Sequence, residues 1–133
     1  MATPPLRGLL EVALYVDDID RSVRFYQQLF GFEVIDSGDR LCALGIGPNQ
    51  LLLICQRTAS AGLAQGSHYG HGEQHIAFAV SSAALPDWQV RLERQHVAIE
   101  EIREWDRGGR SVYFRDPDRH LIELASPGVW SIY

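Results

Sequence analysis

The chain is written twice. Its first half runs LLEVALYV (9–16), DDIDRSVRFYQQLFGF (17–32), EVIDSG, RLCALGIG and QLLLICQ; its second runs HIAFAV (75–80), LPDWQVRLERQ (85–95), VAIEEIREW, GRSVYFRD and HLIELAS. In each half an alternating, branched-apolar run is followed by a run with helical spacing and then by three more alternating runs, so each half reads as βαβββ. An offset of 64 lays Glu11 on His75 and Val16 on Val80, while an offset of 69 lays Pro48 on Pro117 and Ile54 on Glu123. A repeat at half the chain length fixes the architecture before any chemistry is considered. The fold expected is α+β, with paired βαβββ modules at 8–57 and 72–126 inside one domain spanning 1–133. A Gly/Ser/His-rich loop, 58–71, joins them.

Local signals agree with that division. Asp18 or Asp20 is placed to cap the first helix, Val23, Tyr26, Gln27 and Phe30 mark its rows, and Gly31 is placed to end it. In the second helix Pro86 stands near the start, and Leu85, Trp88 and Leu92 keep helical spacing. The turn GPNQ separates two strands of the first half. A chain of 133 residues with 46% hydrophobic and 22% charged residues is long and apolar enough to bury a core without cross-links.

Strand parity sorts the side chains, because alternate residues face opposite sides of a sheet. Val12, Leu14 and Val16, matched by Ile76, Phe78 and Val80, must meet the helices. The opposite face carries Glu11, Ala13 and Tyr15, then His75, Ala77 and Ala79, then Ser111, Tyr113 and Arg115, and finally Leu121, Glu123 and Ala125. Two curved sheets with such a face enclose a cup, with Glu11, His75 and Glu123 at matching places. Glu123 lies between HLI and LAS, and a buried carboxylate there needs a partner.

A formal charge of −5 argues against nucleic acid and for a small-molecule ligand. No apolar run is long enough to span a bilayer or to act as a signal segment, so a cytoplasmic protein with no membrane partner is expected. Cys42 and Cys55 lie in apolar segments without metal-type spacing and read as buried free thiols. His68 and His71 belong to the Gly-rich loop, and His96 and His120 sit beside turns, which reads as surface for the last two. Trp105 and Trp130, near chain turns, are candidates for a pocket mouth, and Arg40, Arg110 and Arg115 for receiving an anion. The signatures GxSxG, GxxxxGK[ST] and strand-borne GxGxxG are lacking.

LYVDDIDRSVRFYQQLFGF, HIAFAV and above all GGRSVYFRDPDRHLIELASPG, with its aromatic strand, DPD turn and following glutamate, resemble the vicinal oxygen chelate superfamily. That superfamily contains glyoxalase I, bleomycin-resistance proteins, extradiol dioxygenases and fosfomycin-modifying enzymes. The resemblance covers nearly the whole chain. It implies a cup holding one divalent metal, with ligands from the first and last strands of each module: Glu11, His75 and Glu123. It puts the neighbourhood of Ile54 at the fourth place, where glyoxalase I has a carboxylate used in moving a proton. Glu11 stands where the family more often has histidine, which still permits ligation. With Ile54 apolar, the full glyoxalase I set is absent.

The resemblance therefore implies a metal-dependent enzyme in which Mn, Fe, Ni, Co or Zn takes two oxygens of a small substrate as a Lewis acid. Lyase, isomerase or epoxide-opening chemistry is expected ahead of ring-cleaving dioxygenation, whose two-His, one-carboxylate set is not matched. Tyr15 and Tyr113 are candidates for a base, and Ser111, Arg115 and Ile54 for contacts to substrate. The alternative is a metal-free cup that sequesters a compound, as the bleomycin-resistance relatives do. Small members of the family often pair modules between two chains, so a homodimer is expected, with the helix face and the PGVWSIY tail supplying contacts.

Overall fold

In a computed structural model of the chain, residues 3–57 and 70–133 are described. Most of the expected linker, His68 included, lies outside the described residues. The elements are β1 (Glu11–Val16), α1 (Ile19–Phe30), β2 (Glu33–Ser37), β3 (Leu41–Gly47), β4 (Gln50–Gln56), β5 (His75–Ala79), a 3₁₀ turn (Ser82–Ala84), α2 (Leu85–Arg94), β6 (Ile99–Glu104), β7 (Arg110–Arg115) and β8 (Leu121–Ala125). The fold is α+β, with two βαβββ modules and two mixed four-stranded sheets. The strand orders are β1-β4-β3-β2 and β5-β8-β7-β6, the same topology twice. In each, the outer strand pairs in parallel with the fourth strand of its module and the other pairs are antiparallel. Among the described residues no helix is long and apolar enough to cross a membrane.

The helix signals act as read. The Arg21 N–H donates to Asp18 Oδ1 at 3.0 Å, which makes Asp18 the cap. Gly31 closes α1 at φ 75°, its N–H donating to the Gln27 carbonyl at 2.9 Å. Ser81 Oγ accepts from the Ala84 N–H at 3.2 Å and starts the 3₁₀ turn, from which α2 continues with its proline in the first turn.

By contact the chain falls into two compact units. One holds residues up to Val23 and those from Phe32 to His71; the other holds Arg24–Gly31 and Gly72–Tyr133. In the first, Leu14, Val16, Leu44, Leu52 and Ile54 are fully buried on one sheet face. On the other, Ala43, Leu53 and Cys55 form a cluster that Ala13, Tyr15, Leu41 and Leu51 flank. In the second unit Val112, Phe114, Ile122 and Leu124 of the sheet, Leu85 and Leu92 of α2 and Tyr26 and Leu29 of α1 are all buried. The Phe30 ring sits 4.9 Å from Phe78 and 5.4 Å from Trp88, centroid to centroid. A helix that opens in one sequence module thus spends its second half in the core of the other.

Gly109 and Gly128 are the tightest crossing. A Cβ on Gly109 would stand 2.1 Å from the Val129 nitrogen and 2.2 Å from the Gly128 carbonyl carbon, both backbone atoms that cannot swing aside. The contact docks the β6–β7 turn on the chain that follows β8. Gly109→Ala is expected to destabilise the protein by roughly 1–3 kcal/mol through overpacking, read as a lower denaturation midpoint with an unchanged m-value. An unaltered midpoint would mean that this crossing opens without cost.

Candidate functional site

The open face of the second sheet carries the polar side chains that parity predicted. In register, His75 pairs with Leu121 and Ala77 with Glu123 across β5 and β8, while Tyr113 and Ser111 of β7 flank Glu123 and Ala125. His75 and Glu123 are therefore diagonal neighbours on one face. The His75 Nε2 lies 3.1 Å from Glu123 Oε1, and its Nδ1 lies 2.9 Å from the Leu121 carbonyl oxygen.

That second contact sets the chemistry of the first. A carbonyl only accepts, so Nδ1 carries a proton, and in the neutral ring Nε2 presents its lone pair to a carboxylate oxygen. Two acceptors at 3.1 Å need a positive charge between or beside them, which a second ring proton or a metal cation supplies. One imidazole nitrogen and one carboxylate oxygen, with the far ring nitrogen pinned to a carbonyl, are the donor types and outer support that a divalent transition metal takes. The residues present fit such an ion.

Glu123 is buried, and its other oxygen is occupied. Ser111 Oγ donates to Glu123 Oε2 at 2.6 Å, and Trp105 Nε1 donates to Ser111 Oγ at 2.9 Å. The Arg103 guanidinium lies 5.2 Å from the Trp105 ring centre and 5.8 Å from that of Tyr113. Glu101 holds it through both carboxylate oxygens, at 3.0 and 3.2 Å.

Ser111 was expected to touch substrate. It is fully buried and its hydroxyl is given to Glu123, so its place is behind the carboxylate. Arg115 lies on the open face, but its guanidinium is already shared. Nε and one terminal nitrogen take the two oxygens of Glu100 at 2.6 and 3.1 Å, and the other reaches Glu73 at 3.2 Å and the Arg119 carbonyl at 3.0 Å. A bulge between Ile99 and Glu101 in β6 leaves Glu100 beside that pair in the chain. Arg110 is paired with Glu104. Trp130 is 70% exposed.

Ile54 is misplaced by the sequence alignment. Glu11 pairs with Leu51 where His75 pairs with Leu121, so the residue equivalent to Glu123 is Leu53, 70 positions earlier. A slip of one residue reverses the face: Ile54 is fully buried on the helix side, and Leu53 stands on the side of Ala13 and Tyr15. Leu53, not Ile54, is thus the residue in register with Glu123.

Neither tyrosine is suited to be a base near neutral pH. Burial, with the Cys55 charge adding, lifts Tyr15 above the ordinary tyrosine value. Burial is also the main cause for Tyr113; Ser111 and Arg103 pull its value down and Glu123 pushes it up. Both phenols serve better as donors. Cys55 is pushed up to about 11, chiefly by burial and then by Glu11, and is inert as a thiol; Cys42 is likewise free, buried and raised.

Glu11 lies exposed at the start of β1 in the first unit. Among the described residues no group of three or more His, Cys, Asp and Glu side chains is gathered that could hold a metal, so His75 and Glu123 meet as a pair. His120, read as surface, is fully buried, its Nδ1 accepting the Gln74 N–H at 2.9 Å. Sequence reasoning placed Trp105 only near a pocket mouth and did not single out Arg103. The hairpin EWDRGGRS was the available signal, since its turn returns Ser111 towards Trp105.

Comparison with known proteins identifies relatives over nearly the whole chain. The chain is 28% identical over 120 residues to the metallothiol transferase FosB of Staphylococcus epidermidis, covering 90% of this chain and 83% of that protein. It is 32% identical over 124 residues to the fosfomycin resistance protein FosX of Listeria monocytogenes, covering 90% and 89%. A FosX structure from L. monocytogenes complexed with Mn(II) and sulfate superposes with a TM-score of 0.72 at 26% identity, covering 94% of each chain. The lactoylglutathione lyase structure from Agrobacterium tumefaciens gives 0.89 at 28% identity, covering 96% of this chain and 99% of that one. A family model matches residues 8–124, and the chain belongs to the family it describes, the Glyoxalase/Bleomycin resistance protein/Dioxygenase superfamily.

Proposed function

We propose that the protein is a metal-dependent enzyme that binds a small oxygenated substrate through a divalent metal held by His75, Glu123 and Glu11. The observation that carries this reading is the opposed pair, Nε2 against Oε1 at 3.1 Å with Nδ1 committed to a carbonyl. The similarity to FosB and FosX favours group transfer to, or opening of, a strained oxygenated compound such as fosfomycin over carbon-to-carbon proton transfer. So does Leu53, which puts an apolar group where a second acid–base carboxylate would stand. The metal supplies Lewis acidity toward substrate oxygens. Tyr113, held protonated, donates a hydrogen bond on the same face, and Arg103 brings a positive charge beside it.

Glu11 belongs to one compact unit and His75 and Glu123 to the other, and Glu11 is proposed to come from a second copy in a homodimer. The test is complementation. Wild-type protein incubated with Mn(II), Fe(II), Co(II), Ni(II) or Zn(II) and desalted should retain about one ion per chain, and Glu11→Ala and His75→Ala each should retain little. Equal amounts of the two variants, unfolded and refolded together, should recover about a quarter of the wild-type metal, since half of the randomly formed dimers are mixed and each has one intact site. No recovery would exclude the shared site. Wild-type protein that stays metal-free yet binds fosfomycin would favour the sequestering alternative.

A further inference from the structure

The polar face holds more machinery than ligation uses. Ser111 is fully buried in a β-strand yet keeps a hydroxyl: it accepts from the Trp105 indole at 2.9 Å and donates to Glu123 Oε2 at 2.6 Å, with the Tyr113 hydroxyl hydrogen-bonded alongside to both Ser111 and Glu123. Each link is directional. The indole N–H can only donate, so it fixes the serine oxygen as acceptor and leaves the serine proton for the carboxylate. Glu123 Oε2 is thereby engaged, and Oε1 is the oxygen turned to His75 at 3.1 Å. The Trp105 ring is held in its turn by the Arg103 guanidinium at 5.2 Å, itself clamped by Glu101, and the Trp105 N–H of the backbone donates to the Gly109 carbonyl at 2.8 Å.

We infer that Trp105 and Ser111 are positioning residues acting in series on Glu123: the indole orients the serine hydroxyl, and the hydroxyl occupies Oε2 so that the carboxylate offers Oε1 alone to the cation. The inference rests on the metal reading above. It accounts for a buried serine in place of a residue that would pack better, and for a tryptophan whose polar end points into the sheet face. A series arrangement has a signature that two independent supports lack, because removing the second link makes the first irrelevant.

The experiment measures Zn(II) affinity by competition titration, alongside the thermal midpoint of the metal-free protein, for wild type, Ser111→Ala, Ser111→Thr, Trp105→Phe and Ser111→Ala/Trp105→Phe. Ser111→Ala should weaken Zn(II) binding by about 10- to 100-fold, the usual cost of losing a partner behind a ligand. Ser111→Thr, which keeps the hydroxyl, should recover most of that loss. Trp105→Phe keeps an aromatic ring beside Arg103 and loses the N–H together with one ring of the indole; it should weaken binding severalfold, and the double variant should be no weaker than Ser111→Ala. Losses that multiply in the double variant, or a Trp105→Phe affinity equal to wild type, overturn the series arrangement while leaving the metal reading intact. A wild-type protein that takes up no Zn(II) overturns both. Trp105 is partly exposed, so its variant remains measurable where a serine variant folds poorly.

Discussion

His75→Ala is expected to lose metal affinity by more than about 100-fold while the fold stays intact. Loss of a group behind a ligand already costs about 10- to 100-fold, so loss of a ligand costs more. The structure separates the two effects. The His75 side chain is 49% exposed on the open face, with one nitrogen toward Leu121 and the other toward Glu123. The apolar contacts of β5 are made on the reverse face, by Phe78 against Phe30. Truncation therefore removes polar contacts from solvent-facing atoms and opens no cavity in the core. Metal content after incubation and desalting, with the far-ultraviolet spectrum and melting curve as controls, decides the matter. A variant that keeps full occupancy would assign the ion elsewhere, and one that unfolds would make His75 structural.

How much of this was legible in the sequence differs by feature, and the differences have physical causes. The succession of strands in both modules and the faces carrying His75 and Glu123 follow from alternation, which records the side-chain period directly, whereas the order of the strands within each sheet does not. Leu53 was missed in favour of Ile54 because the alignment took the two turn prolines as equivalent: Gly45 to Leu51 and Arg115 to Leu121 are turns of equal length, related by 70 positions, and Pro48 sits one position later in its turn than Pro117 does in its own. A turn proline marks a turn but not its place within it, so a one-residue slip between the halves leaves no trace in the pattern. The packing of the second half of α1 beneath the second sheet was equally hidden, since an amphipathic helix shows that it has an apolar face but not which sheet receives it. Ser111 and Arg115 stood on the right face, and what altered their reading was their partners: Trp105 across a hairpin, and Glu73 and Glu100 from other segments. Such pairings depend on tertiary register.

His120 was misread for a related reason, and it leads to the second large effect, at Asp116. The turn DPDRH is a buried polar knot. Asp116 Oδ1 accepts the N–H groups of Asp118 and His120, both at 2.9 Å, and Oδ2 accepts the Tyr26 hydroxyl at 2.7 Å. Arg119 takes φ 66° to close the turn, and His120, folded inward, accepts the Gln74 N–H just before β5. One carboxylate thus ties α1 to the β7–β8 turn. Asp116→Ala strands two backbone donors and the buried Tyr26 hydroxyl, and at about 1–3 kcal/mol for each stranded group, softened by local relaxation, a loss of about 3–5 kcal/mol is expected in chemical denaturation. Asp116→Asn keeps an oxygen for the two N–H groups and turns its amide toward the tyrosine oxygen, so it should lose far less. Its deficit should also depend on pH. Burial raises the Asp116 value above the ordinary 3.8 against the pull of its hydrogen bonds. The folded state therefore holds this proton more tightly than the unfolded state, and wild-type stability from this group is greatest below 3.8 and declines as pH rises through the raised value. Asparagine carries no such cost, so the gap between wild type and Asp116→Asn should narrow from acid to neutral pH, the other carboxylates cancelling between the two proteins. A gap that stays constant from pH 4 to pH 7 would show that the hydrogen bonds fully offset burial at this carboxylate.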